Sequence, residues 1–423
     1  MGIFMWKQSV NWLRHHWSGV VMLAVLLGSF VSAPVQGAAA TRVDARAAVM
    51  IDQQTGQVLY AQNATKRYPV ASVTKILTLL VIEDDIAHHR LDWEQKIKID
   101  HAVAKLANDW RFSNVQLNEG ESYTVKALVE SMMIVSADGS AEALALASAG
   151  STQAFNQKMQ KMAHRAGVTD AKIYNMIGLS NGELGRYGLK GVDKDAENLF
   201  SAQDMAKIAA YLLNHYPDVT KLTSQKFVNF RVTDGQEEQM ININAMLPEN
   251  GVAAKGGEID GLKTGLTDKA GNCFVGSGTF ANRRIITVVL HAPGEFNNQF
   301  TQTQKMLDIV MNRATPVTLT KVQQLSAQVQ TVKVAHGHHR HQTGVKIKST
   351  VVWVPKQLAT AKHWPAKLKV RSDQDTIAHR QVRAPVKAGQ RVGTITLQLA
   401  GMPDFTLPAW ATTSVAKHHW WQF

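Results

Sequence analysis

The 423-residue sequence holds a single cysteine, Cys273. No intramolecular disulfide can form, so nothing covalent staples the chain. The thiol lies in Asn272-Cys273-Phe274-Val275-Gly276, an apolar strand-like run, and reads as a buried, inert group. Acids are scarce in one region only. From Pro316 to Phe423 there are 15 Lys/Arg against three acids, Asp373, Asp375 and Asp404, a net of 15 − 3 = +12. Residues 1–37 carry +2, from Lys7 and Arg14, so the remaining 38–315 hold 13 − 12 − 2 = −1 of the whole-chain +13. There is no internal repeat. A closed metal-ligand set is missing as well: His336, His338, His339 and His341 crowd one segment around Gly337, which reads as a polar loop.

The ends of the chain suggest export. Lys7 and Arg14 precede an apolar stretch, Val20 to Val31, and Gly37-Ala38-Ala39-Ala40 offers small residues for cleavage. Residues 1–39 are expected to be a signal peptide; a retained anchor is the alternative, since Trp17 to Val35 is uncharged. Either way the body of the protein is expected on the extracellular side, in the wall or at the membrane. In that setting the basic C-terminal part would meet anionic wall polymers or a membrane surface, and nucleic acid is a poor partner. Length and composition divide the rest into a domain over 40–315, a basic β-rich domain over 316–409 and an aromatic and basic tail over 410–423. The tail, Lys417-His418-His419-Trp420-Trp421-Gln422-Phe423, is too short to span a bilayer.

Residues 46–52 and 57–61 read as two strands, and 258–264, 272–280 and 284–292 as three more, with a hairpin turn at 282–284. A helix is expected over 72–88, another over 125–134, another over 202–213 and a last one over 298–311. Residues 89–250 read as mostly helical and irregular. Strands at both ends with helices between predict an α+β fold: an antiparallel sheet flanked by helices, followed by a small β domain.

Three motifs carry chemistry. The first is Ser72-Val73-Thr74-Lys75, at the head of the apolar run Ile76 to Ile82. On a helix, Ser72 and Lys75 sit about one turn apart on one face. A serine hydroxyl is a weak nucleophile until a base takes its proton, and a lysine depressed by burial or by a second cation can do so. The second is Ser136-Ala137-Asp138, at the tip of the helix over 125–134. The third is Lys263-Thr264-Gly265, followed by Leu266 and Thr267. They fall 136 − 72 = 64 and 263 − 136 = 127 residues apart, and order and spacing together point to a serine acyl-transfer site.

With these residues the chain resembles the D-alanyl-D-alanine carboxypeptidases, the low-molecular-mass penicillin-binding proteins. The resemblance rests on 71–75 and on the longer run Asp260-Gly261-Leu262-Lys263-Thr264-Gly265-Leu266-Thr267-Asp268-Lys269-Ala270-Gly271. It covers about residues 43–400 and weakens after Val317. It implies a penicillin-binding-protein-like catalytic domain that cleaves the terminal D-Ala-D-Ala bond of a peptidoglycan stem peptide through an acyl-enzyme on Ser72, limiting cross-linking. Lys75 would be the base, Ser136 a proton relay and Lys263 a field-setting cation. The backbone N–H groups of Ser72 and Leu266 would form the oxyanion hole. Asp138, Thr264, Gly265, Leu266 and Thr267 would line the substrate site, with Thr264 on the terminal carboxylate. β-Lactams would acylate the same serine. The chemistry requires neither metal nor organic cofactor.

Two residues depart from the family pattern. Asp138 stands where the family carries Asn, and an ionised carboxylate only accepts hydrogen bonds. It would meet a substrate carbonyl with negative charge and hold Lys75 protonated, so reduced or altered activity is expected. Ile243, in Asn242-Ile243-Asn244, replaces a basic residue that some members use for the carboxylate. The alternatives are a catalytically weak wall-binding scaffold, or an endopeptidase or transpeptidase of the same family. A class A β-lactamase would need an E-x-x-L-N segment between Ser136 and Lys263, and none is present.

Overall fold

The computed structural model describes residues 42–371 and 381–418. The signal-like segment 1–39, Asp373, Asp375 and the tail residues 419–423 lie outside the described residues.

The central sheet is antiparallel, with strands in the order Val58–Gln62, Ala47–Asp52, Arg283–Ala292, Asn272–Phe280, Gly257–Gly265. Every residue of Ala47–Asp52 is buried, because both faces of the sheet are covered. Side chains alternate across a strand. Val49 and Ile51 therefore join the core shared with the helical layer, whereas Ala48 and Met50 pack with Phe300 and Met306 of the helix Asn298–Arg313. Strands Asn272–Phe280 and Arg283–Ala292 join through Ala281-Asn282, both with positive φ (49° and 58°). Two such residues give the turn that matches strand twist.

The helix Lys75–Ala87 runs through the middle of the helical layer. Residues 75–82 are buried without interruption, so no polar stripe faces water. The helix Val125–Ile134 starts at Thr124, whose hydroxyl accepts from Ala127 N at 3.1 Å. The stretch over 89–250 holds more strand than its sequence suggested. Phe227–Thr233 and Gln236–Ile241 form a hairpin through Asp234-Gly235, with Gly235 at φ 81°. Phe230 and Val232 anchor it in the core, and Phe230 stacks on Tyr123 at 5.4 Å between ring centroids.

The C-terminal half is β-rich. Ala314–Leu319 leaves the last helix directly and pairs with Thr350–Pro355. A six-stranded sheet follows, in the order Ala366–Val370, Arg391–Leu397, Phe405–Ala411, Gln342–Lys346, Thr331–Ala335, Gln381–Arg383. It closes over its own core of Val332, Val345, Ile395, Leu397 and Leu407. Part of the segment expected as a tail belongs to this fold: the strand Phe405–Ala411 includes Trp410, and Val415 and Lys417 bridge to Val386 and Gly337.

Trp353 ties the two halves together. Its backbone N–H donates to Gln57 Oε1 at 2.7 Å, and Gln57 Nε2 donates back to its carbonyl at 2.8 Å. Its indole N–H donates to Asp52 Oδ2 at 2.9 Å. Arg283 pairs with the same carboxylate at 2.8 Å, so the buried charge is matched.

Candidate active site

Ser72 lies three residues before the α-helix rather than at its head, where a helix over 72–88 would place it. Residues Ala71–Thr74 form a 3-10 turn, and the α-helix begins at Lys75. Ala71 has φ 50°. Two glycines make this turn possible. A Cβ on Gly178 would lie 1.9 Å from the Ala71 carbonyl oxygen, and one on Gly265 would lie 2.7 Å from Val70 O and 3.1 Å from Ser72 N. Only glycine lets the chain approach so closely. Gly265 thus brings the end of the third-motif strand against the backbone of the turn that holds Ser72.

The second motif bridges two helices. Ser136 adopts φ 67° between Val125–Ile134 and Asp138–Ala149. Around it the backbone is held by Ala137 N donating to Ser131 O at 3.1 Å and Asp138 N donating to Ser113 O at 2.9 Å. A non-glycine residue in this region persists only where its surroundings over-determine it.

The first two motifs meet at Lys75. Its ammonium nitrogen lies 2.7 Å from Ser72 Oγ, 2.6 Å from Asp138 Oδ1, 3.3 Å from Ile177 O and 3.5 Å from Ser136 Oγ. Lys75 is fully buried, and Asp138 and Ser136 are nearly so. Lys263 is also buried and donates to its own Thr264 carbonyl at 3.1 Å. Burial is the largest influence on all three charged groups. It pushes the Lys75 ammonium down and the Asp138 carboxyl up, while their contact opposes both shifts. Lys263 falls well below the usual lysine range, through burial and then repulsion from Lys75. Burial thus works against the charged form of each of these groups.

Thr264 and Gly265 are buried at the strand end, and Leu266 is exposed beside them. The Thr267 hydroxyl donates to Glu197 Oε2 at 2.9 Å and accepts from Ala270 N at 3.0 Å, so it braces the loop after the strand. Asn242 donates to Thr223 O and Gln225 O, which fixes the segment holding Ile243. Cys273 is buried, and its thiol is pushed up to about 12 by desolvation, the mark of an inert group. Sequence reasoning missed Ile177, whose carbonyl accepts from Lys75, and Asn198, which donates to Thr74 Oγ1 at 3.1 Å under the turn that holds Ser72. Nothing in their spacing marks either, since a backbone carbonyl leaves no trace in a side-chain pattern.

Comparison with known proteins agrees with this geometry. The D-alanyl-D-alanine carboxypeptidase family profile matches residues 34–294, more than half of the chain. The D-alanyl-D-alanine carboxypeptidase DacF of Bacillus subtilis is 28% identical over 385 residues, covering 90% of this chain and 89% of that protein. The crystal structure of a peptidoglycan synthesis regulatory factor, PBP3, from Streptococcus pneumoniae superposes with a TM-score of 0.65 at 26% identity, covering 88% of this chain and 99% of that one. Penicillin-binding protein D2 of Listeria monocytogenes, in an ampicillin-bound form, matches at 25% identity with a TM-score of 0.52, over 64% of this chain and 98% of that one. With its serine, two buried lysines and sheet-and-helix frame, the chain belongs to the D-alanyl-D-alanine carboxypeptidase family of serine peptidases.

Proposed function

We propose that Ser72 attacks the carbonyl carbon of the terminal D-Ala-D-Ala bond of a peptidoglycan stem peptide, with Lys75 as the base. The observation that carries this is the 2.7 Å approach of Lys75 Nζ to Ser72 Oγ inside a buried pocket. A neutral lysine amine has two N–H donors and one lone pair. With the N–H groups on Asp138 Oδ1 and Ile177 O, the lone pair faces the Ser72 hydroxyl. The Ser72 O–H bond breaks as the new C–O bond forms, and Nζ takes the proton. Ser136, 3.5 Å from Nζ, is placed to pass that proton to the departing amine of D-alanine. Water then hydrolyses the acyl-enzyme.

Lys263 would contribute to the electrostatic field of the pocket, although burial and then the neighbouring Lys75 disfavour its own charged form. Backbone N–H groups of Ser72 and Leu266 would stabilise the oxyanion by about 3–4 kcal/mol. Thr264 would hold the terminal carboxylate. A β-lactam presents a strained amide to the same serine, as the ampicillin-bound relative suggests. Peptidoglycan lies outside the cytoplasm, which favours an exported protein and a cleaved segment over residues 1–39.

D-alanine release from a muramyl pentapeptide, with Ser72→Ala as control, tests the reading. Release that vanishes in the variant supports it. Release that persists in Ser72→Ala would overturn the assignment of the nucleophile.

A further inference from the structure

The C-terminal sheet carries a one-signed face. Pairing fixes which side chains share it. Lys367 and Lys369 stand opposite Thr396 and Thr394, and these stand opposite Thr406 and Pro408. Trp410 faces Arg391 on one side and Lys346 on the other. Lys333 and Arg383 continue the same face across the last two strands. The opposite faces of these strands supply the buried core residues Val332, Val345, Ile395 and Leu407.

All six cations, Lys333, Lys346, Lys367, Lys369, Arg383 and Arg391, are exposed, and the six strands contain no Asp or Glu. None of the six forms an ion pair among the described residues. Side chains two apart on a strand recur about every 7 Å, and neighbouring strands lie about 5 Å apart. Both spacings fall within the roughly 8 Å screening length at physiological salt, so the fields of adjacent cations add.

We propose that this face binds an extracellular polymer whose repeat units carry phosphodiester groups. Such a chain would lie across the cation rows. The hydroxyls of Thr394, Thr396 and Thr406 would meet phosphate or polyol oxygens between them. Trp410, with Lys348 Nζ 5.6 Å from its ring centroid, offers a flat surface for the carbon backbone of a repeat unit. The same face is poorly made for a bilayer. Among the described residues, the exposed large apolar side chains are Trp110, Phe227, Ile241, Leu266 and Phe296, all outside the C-terminal half. An interfacial docking surface needs apolar groups to insert.

The assignment rests on the wall-directed reading above for its setting, and the test keeps the two apart. The intact chain is titrated with poly(glycerol phosphate) at several salt concentrations, and separately with vesicles of phosphatidylglycerol and phosphatidylcholine. Two quadruple variants accompany it: Lys346→Gln/Lys367→Gln/Lys369→Gln/Arg391→Gln on the face, and Lys96→Gln/Lys98→Gln/Lys161→Gln/Lys172→Gln on the catalytic domain. Labelling of Ser72 by a fluorescent penicillin reports folding and the active site independently. The expected result is polymer binding that weakens with salt, falls about tenfold or more in the face variant with a shallower salt slope, and is retained in the other. Equal losses in both variants, or no binding by the wild type, would overturn the proposal. Binding to the vesicles but not to the polymer would overturn it in favour of a membrane partner. A face variant that no longer labels is replaced by the pair Lys367→Gln/Lys369→Gln, read against the same outcomes.

Discussion

The two halves of the molecule place their charge in opposite ways. The catalytic half buries Asp52, Lys75, Asp85, Asp138, Glu142, Glu197, Asp204 and Lys263, whereas the described C-terminal half buries no charged residue and wears six of its cations on one sheet face. Buried charge is costly, and it is retained where it is matched or where chemistry uses it. Asp52 and Asp85 are matched, by Arg283 and by Lys158 and Arg90. Lys75 and Asp138 pair with each other at 2.6 Å, and together with Lys263 they belong to the proposed reaction centre. Surface charge costs little and acts at long range, which suits recognition of an extended polyanion. Net charge therefore says little about where the chemistry is placed: the half with a balance near zero contains the groups proposed to react.

Changes that cross this division should have the largest effects. Trp353→Ala removes the indole that joins the halves and takes one donor from the buried Asp52 carboxylate, while the backbone bonds to Gln57 remain. It is expected to destabilise the protein by about 3–5 kcal/mol, read as a lower denaturation midpoint. An unchanged midpoint would mean the halves stand without that tie.

Glu142 sharpens the comparison from within the catalytic half. Its carboxyl is buried, one oxygen lacks a partner, and desolvation pushes it up to about 8. A carboxyl raised in the folded state supports stability fully below its unfolded value of 4.5. That support is lost as pH rises through about 8. Glu142→Gln should match wild type near pH 4 and exceed it at alkaline pH, by on the order of 3 kcal/mol. Melting curves across pH decide it, and a gap that does not grow with pH would contradict the buried neutral acid.

Asp138→Asn keeps an oxygen for Lys75 to donate to and removes the charge that favours the ammonium. The pKa of Lys75 then falls, because Asp138 was raising it. The acid limb of Ser72 acylation is expected to move to lower pH. Acylation near neutrality should rise roughly tenfold for each unit of that move. Identical pH profiles for penicillin acylation in the two proteins would show that the carboxylate does not restrain the base. At the small end, the face variant should change melting by no more than about 0.5 kcal/mol and leave acylation untouched. A large loss of stability would mean those cations do structural work.

Much of this was legible in the sequence where the signal is local. The strands near 258–264, 272–280 and 284–292 appear within a residue or two as Gly257–Gly265, Asn272–Phe280 and Arg283–Ala292, because their apolar runs are bounded by turn residues. The meeting of Ser72, Lys75, Ser136 and Asp138 followed from motif order. What escaped depends on distant neighbours or on an overlooked turn. The 3-10 turn at Ser72 exists because Gly178 and Gly265 press on it from far along the chain. The hairpin over 227–241 did carry a local signal, Asp234-Gly235 between alternating residues, which a reading dominated by helices passed over. The pairing of Lys75 with the Ile177 carbonyl had no side-chain pattern to find.

The contact of Gly265 with the backbone of Ser72 joins segments 265 − 72 = 193 residues apart. The sheet that presents Gly265 is itself completed by pairing Ala47–Asp52 with Arg283–Ala292. A nascent or truncated chain that ends before this strand thus carries the serine but not the wall that shapes its turn. Reactivity should arrive late and all at once during folding, so penicillin labelling would count finished molecules rather than chains synthesised.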